Sequence, residues 1–262
     1  MKILVCMKQV PAGTKVDIDP ETGAMKRLSG ETRTNPYDLF ALEAALQLRE
    51  KVGGSVTVFT MGPPQAEEMM RDAYTMGADD AVILSDRKFA GADVLATSYA
   101  LSQGITAIGD IDLIICGKQT TDGDTAQVGP AIAEHLGIPH AAWVSEIVDA
   151  DSESIQVKQD LVSVSQTSKI PYPCLITVDK DMCVPRLPSY LLQKQSKDRP
   201  VKIMTFEDMA DQNLSKYGLV GSPTAVEKMF APPEVEKQVY FDGDAKEKTK
   251  QLFDVLVNKK VI

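Results

Sequence analysis

Five short runs that are apolar on both faces recur along the first two thirds of the chain, each separated by a helical pattern: Ile3 to Met7 (ILVCM), Val56 to Met61 (VTVFTM), Ala81 to Leu84 (AVIL), Leu113 to Cys116 (LIIC) and Cys174 to Val178 (CLITV). A strand buried on both faces belongs in a mostly parallel sheet covered by helices on each side. That alternation predicts an α/β fold, an open, mostly parallel sheet with helices on both faces.

The intervening helices carry recognisable ends. In TNPYDLFALEAALQLREKVGG, Asn35 is expected to cap and Pro36 fits the first helical position. Asp38 favours the positive end, Leu39, Leu42 and Leu46 mark one face, and Gly53-Gly54 stops the helix. PPQAEEMMRDAYTMGA places Ala66, Met69, Met70, Ala73 and Met76 on one side and ends at Gly77, a core stripe rather than a cofactor box. ADVLATSYALSQG and DTAQVGPAIAEHLG complete the set, the second with Val128, Ile132 and Leu136 on one face and Pro130 in its opening turns. A β-hairpin is expected around Asp149 to Ser154, with alternation at Ile155 and Val157.

Beyond Asp179 the pattern becomes irregular and proline-rich, and only Asp244 to Asn258 reads again as a helix. We therefore expect residues 1–184 to form the α/β domain, and residues 185–262 to form an extended C-terminal arm that packs on another chain or else an ordinary irregular flank.

Composition excludes several functions. Of 262 residues 44% are apolar, yet apolar runs reach only about five residues, far short of the roughly 20 that span a bilayer. With no secretory pattern at the amino end, the cytoplasm is the expected address. A net charge of −9 and the absence of a basic stripe argue against nucleic acid. Cys6, Cys116, Cys174 and Cys183 form no CxxC pair, and His135 and His140 have no partner at ligand spacing, so neither a disulfide framework nor a metal site is expected.

Ligands of open parallel sheets bind at the carboxyl ends of the strands, where strand order reverses. The loops there are CMKQVPAG, TMGPP and CGKQTTDGDTAQVGP. The last is the richest. Gly117, Gly123 and Gly129 permit close backbone approach, Thr120, Thr121 and Thr125 offer hydroxyls, and a helix expected to begin near Asp124 or Thr125 presents its positive end. This is chemistry for a phosphate; a tight connection without ligand is the alternative that spacing leaves open. Lys118 would add charge, whereas Asp122 and Asp124 suit capping or ribose hydroxyls. Neither GxGxxG nor GxxxxGK[ST] occurs in these loops, and no nucleophile–base constellation accompanies them, so any redox chemistry must be a cofactor's.

Five ordered blocks, VCMKQVP, NPYDLFALEAALQLREK, TMGPPQAEEMMRDAYTMGADDAVIL, DLIICGKQTTDGDTAQVGPAIAEHLG and PRLPSY, strongly resemble the electron transfer flavoprotein beta subunit over about residues 1 to 200. The resemblance implies a heterodimer with an alpha subunit, a Rossmann-like open α/β domain over residues 1–184 that holds an adenine nucleotide, and a partner-recognition loop and C-terminal arm over residues 185–262. Carried over by position, the nucleotide contacts are Cys6; Asn35, Pro36, Tyr37 and Asp38; Met61; and Gly117, Lys118, Gln119, Thr120, Thr121, Asp122, Gly123, Asp124, Thr125, Ala126, Gln127 and Val128.

DGDTAQVGP, GADVLATSYAL and the linker DIDPETGAMKRLSGETRTNPYD resemble the electron-bifurcating group, in which a threonine at the place of Thr97 lies near the phosphates of a second FAD and NAD(H) meets that flavin. That group passes electrons to ferredoxin or flavodoxin and, through the alpha-subunit FAD, to a flavin-dependent dehydrogenase of lactate or acyl-CoA type. The housekeeping alternative holds structural AMP instead of FAD. PRLPSYLLQKQSKDRP stands at the family's recognition loop, with Tyr190, Leu191 and Leu192 as docking residues and the usual lysine run thinned to Lys194 and Lys197. A nucleotide-sensing module of the universal-stress type shares the architecture, but its GxxGxxxxG run near the carboxyl end is absent.

Overall fold

The computed structural model describes residues 1–12, 17–18, 25–26, 32–161, 163–227 and 239–262. It divides into two units, residues 1–17 with 25–227 and residues 18–24 with 228–262.

The first unit is built on one nine-stranded sheet. In chain order it contains β1 (Lys2–Cys6), β2 (Gln9–Pro11), the two-residue strands β3 (Asp17–Ile18, shared with the second unit) and β4 (Met25–Lys26), β5 (Thr32–Thr34), α1 (Pro36–Val52), β6 (Ser55–Met61), α2 (Glu67–Met76) and β7 (Asp80–Leu84). Then follow α3 (Val94–Ile108), β8 (Leu113–Gly117), α4 (Val128–Leu136), β9 (His140–Ala150), β10 (Ser154–Leu161), β11 (Val164–Pro171), β12 (Cys174–Val178), α5 (Tyr190–Gln195) and β13 (Lys202–Met204).

The sheet order is β11-β10-β9-β12-β8-β1-β6-β7-β13, and β2 pairs with β5 in a separate antiparallel ribbon. From β9 to β13 the neighbours run parallel; only β10 and β11 are antiparallel. The chain steps outward from β1 to β6 and β7, then returns to place β8 on the other flank of β1. The strand order therefore reverses between β1 and β8, whose register pairs Cys6 with Cys116.

Alternation along the strands divides the core in two. Ile3, Val5, Val58 and Ile115 pack on Leu42 and Leu46 of α1 and on Met70 and Tyr74 of α2. Leu4, Phe59, Leu84 and Ile114 pack on Leu101 and Ile105 of α3 and Ile132 of α4. The methionine stripe of α2 is core, as its spacing predicts: Met69, Met70 and Met76 are buried.

Pro36 opens α1 and Gly53 ends it, but the side chain of Asn35 makes no cap, because its amide is turned to other partners described below. Gly77 ends α2 in the left-handed conformation. The expected hairpin forms between β9 and β10, with Ile155 and Val157 buried, and it extends the main sheet rather than standing apart. The helix expected from Asp124 or Thr125 begins instead at Val128. Asp124 and Ala126 adopt φ values of 53° and 55°, a left-handed backbone that a continuous helix cannot include.

Residues 185–227 pack within the first unit. Lys202–Met204 adds a parallel edge strand to β7, and Phe206, Met209 and Tyr217 are buried with the α3/α4 layer. Arg186 pins the start of this segment: two guanidinium nitrogens and the backbone N–H donate to Glu43 of α1, and the third guanidinium nitrogen reaches Glu50.

In the second unit, α6 (Ala245–Asn258) opens with a capping box between Asp244 and Glu247. None of its residues is buried, and Leu252, Phe253 and Val257 stand exposed along it. Among the described residues, no helix is long and apolar enough to cross a membrane.

Candidate functional site

Three segments converge at the carboxyl ends of β1 and β8: the turn after Cys6, the start of α1, and the loop that leaves Gly117. A buried polar pair joins them. The Asn35 side chain donates to Asp38 at 2.9 Å and to the Gln119 carbonyl at 2.9 Å, and its oxygen accepts from the Thr121 N–H at 3.3 Å. The Lys8 N–H donates to the other carboxylate oxygen of Asp38 at 2.7 Å, and the Asn35 N–H donates to the Lys8 carbonyl. Gly117 is required here, because any side chain would overlap the Asp38 carboxylate and the Tyr37 backbone. Burial pushes the Asp38 carboxyl up to about 7, although the hydrogen bonds from Asn35 and Lys8 and the Lys8 charge pull the other way.

The loop is tied down by its own carboxylates. Lys8 Nζ pairs with Asp122 at 2.6 Å; burial would raise the Asp122 carboxyl, but Lys8 outweighs it and holds the group below its ordinary value. Asp122 also accepts from the Gly123 N–H, and Asp124 accepts from Gln119. Neither aspartate caps α4, and its N-cap residue Gln127 makes no side-chain cap among the described residues. Its first backbone N–H groups, Val128 and Gly129, therefore lack intrahelical acceptors, and Pro130 has no N–H to offer. Gly129 itself is a packing glycine, since a Cβ there would meet Thr177 of β12. Thr121, Asp122, Gly123, Asp124 and Thr125 remain exposed at the rim.

Most residues expected at this site are thus brought together, but in two roles. Asn35, Asp38 and Gly117 spend their polar atoms or their space inside the protein. Thr120, Thr121, Thr125, Ala126, Gln127 and Val128 form the loop surface. Lys118 turns away from that surface: its Nζ lies 2.9 Å from Asp179 and 4.6 Å from the centre of the Trp143 ring.

Pro36 and Tyr37 lie in the first turn of α1, half-buried. Met61 ends β6, and Cys6 sits beside Cys116; a hydrogen bond to Cys6 and then burial push the Cys116 thiol well up, which makes it inert. Thr97 lies in the first turn of α3, whose Asp93 caps Ala96. Tyr190 and Leu191 are exposed on α5 and Leu192 is half-buried. The sequence places Lys8 in a strand-end loop without assigning it a role, and Trp143 and Asp179, brought beside Lys118 by the pairing of β9 with β12, carry no local signal. No cluster of metal ligands occurs among the described residues.

An electron transfer flavoprotein domain profile matches residues 22–210. The electron transfer flavoprotein subunit beta of Thermoanaerobacterium thermosaccharolyticum is 43% identical over 265 aligned positions, with 100% of each chain covered. Protein FixA of Azorhizobium caulinodans is 45% identical, covering 88% of this chain and 85% of that one. The caffeyl-CoA reductase-Etf complex subunit CarD of Acetobacterium woodii is 43% identical, covering 89% of this chain and 88% of its own.

Proposed function

We propose, from the premise that this chain belongs to the electron transfer flavoprotein family as a beta subunit, that it holds an FAD at the β1/β8 switch point and serves in NADH-driven electron bifurcation. The observation that carries the reading is the uncapped start of α4 behind a loop held in left-handed turns at Asp124 and Ala126. Free N–H groups and the positive end of a helix suit a phosphate, and the constrained loop backbone adds further donors.

The residues present fit such a group. The loop from Thr120 to Val128 would hold the phosphates and sugar, with Thr121 and Thr125 hydroxyls at the rim. Asn35 and Asp38 keep that loop in place, and Lys8 neutralises Asp122, so that a carboxylate beside the phosphates is paired. The chemistry the flavin supplies is the splitting of an electron pair from NADH, one electron for ferredoxin or flavodoxin and one for the alpha-subunit FAD and its dehydrogenase. The relative named for caffeyl-CoA reductase supports a partner acting on a CoA thioester. Val184, Leu187, Tyr190 and Leu191, exposed beside the Arg186 anchor, would meet that partner.

Anaerobic titration of the co-purified heterodimer with NADH tests this. Two flavins should bleach per heterodimer, and ferredoxin should be reduced only when the dehydrogenase acceptor is present. A single bleaching flavin would refute bifurcation and leave the AMP-holding electron carrier.

A further inference from the structure

Trp143 is the only tryptophan in the chain, and it sits where a bulky residue is costly: its φ is 60°, the left-handed region, within strand β9. The pairing register between β9 and β12 breaks at the same place, between Ile176 and Val178. The distortion is held from below, where the Trp143 N–H donates to the Thr177 hydroxyl at 2.9 Å. Its effect is to leave Trp143 39% exposed, with its ring under the Lys118 ammonium.

Lys118 is the residue that follows Gly117, so its backbone belongs to the candidate loop, and its N–H is fixed to the Val178 carbonyl at 2.8 Å. Only its side chain is free to choose. That side chain rests on two weak, half-solvated partners, the Trp143 ring and the Asp179 carboxylate, which is itself positioned by its N–H to Val144. The positive charge nearest the loop on this side is therefore parked on partners that a phosphate dianion can outcompete.

We propose that Lys118 is a phosphate-responsive arm of the site. It is stored on Trp143 and Asp179 and turns to the phosphate of an adenylate seated in its own loop, with Asp179 competing against the ligand. This rests on the nucleotide reading above, and the chemistry is common to AMP and to the adenylate half of FAD.

The test uses the full-length chain freed of any nucleotide it carries, with AMP as the probe so that no flavin absorbance interferes, and follows binding by equilibrium dialysis and Trp143 emission in parallel. Emission should change in proportion to the AMP bound. Lys118→Met should weaken AMP by about tenfold and abolish the emission change, the loss of one charge-assisted contact. Asp179→Asn should tighten AMP by about threefold, because it removes a competitor for the ammonium. AMP bound with unchanged emission, or weaker binding in Asp179→Asn, would overturn the arm while sparing the nucleotide reading. Absence of any AMP in dialysis, from the wild type and from Asp179→Asn alike, would refute the nucleotide reading and the arm together.

Discussion

Gly117 lies so close to Asp38 that a single added methyl group would overlap the carboxylate. The end of β8 and the start of α1 are thereby locked together beneath the candidate loop. Gly117→Ala must push Asp38 or the Tyr37 backbone aside, and overpacking of this kind costs about 1–3 kcal/mol. Urea unfolding should show that loss, together with faster release of bound nucleotide.

Asp38 makes stability depend on pH. Its folded-state value of about 7 lies above the ordinary 3.8, so between those values the folded protein binds more protons than the unfolded chain. The Asp38 contribution is fully present below about 4 and is lost as pH rises through about 7. Asp38→Asn should flatten that slope when urea midpoints are compared at pH 5 and pH 7.5.

The Arg186–Glu43 pair should behave in the opposite sense. Burial alone would raise Glu43, but the hydrogen bonds and charge of Arg186 prevail and hold it below 4.5. Its contribution is present above the ordinary value and lost as pH falls through the depressed one. Arg186→Ala leaves a carboxylate that is only 3% exposed without its main partner, at a cost of about 2–4 kcal/mol. Thermal unfolding should report the loss, and reduction of the partner dehydrogenase should slow because the exposed segment loses its anchor.

The two leucines of α5 should separate docking from folding. Leu191 is 63% exposed, so Leu191→Ala should leave unfolding midpoints and nucleotide content unchanged while weakening electron transfer to the dehydrogenase. Leu192 is half-buried, and Leu192→Ala should also lower stability, by about 1 kcal/mol. Equal coupling in the Leu191→Ala protein and the wild type would exclude this segment from docking.

What was legible in the sequence is what local pattern determines. Runs such as ILVCM and LIIC are apolar on both faces and could only be central strands, and Pro36, Gly53 and Gly77 mark helix ends by their own backbone preferences. What was not legible depends on distant partners. Asn35 has the right chemistry for a cap, but its side-chain oxygen accepts from the distant Thr121 N–H instead. Asp124 and Ala126 carry no signal for left-handed backbone, so α4 starts later than its acidic lead-in suggests. Lys202–Met204 is too short to announce a strand and forms one only because the β7 edge is open to it. The same holds for Trp143, whose placement under the Lys118 ammonium follows from a register break between two strands apart in sequence.

The most direct measurement is the nucleotide inventory of the chain co-purified with its alpha subunit, obtained by acid release and quantification of FAD and AMP. Two FAD and no AMP per heterodimer is the predicted result, with the loop from Gly117 to Val128 holding the second flavin nucleotide. One FAD accompanied by one AMP would contradict it and make that loop the seat of a structural nucleotide in a simple electron carrier.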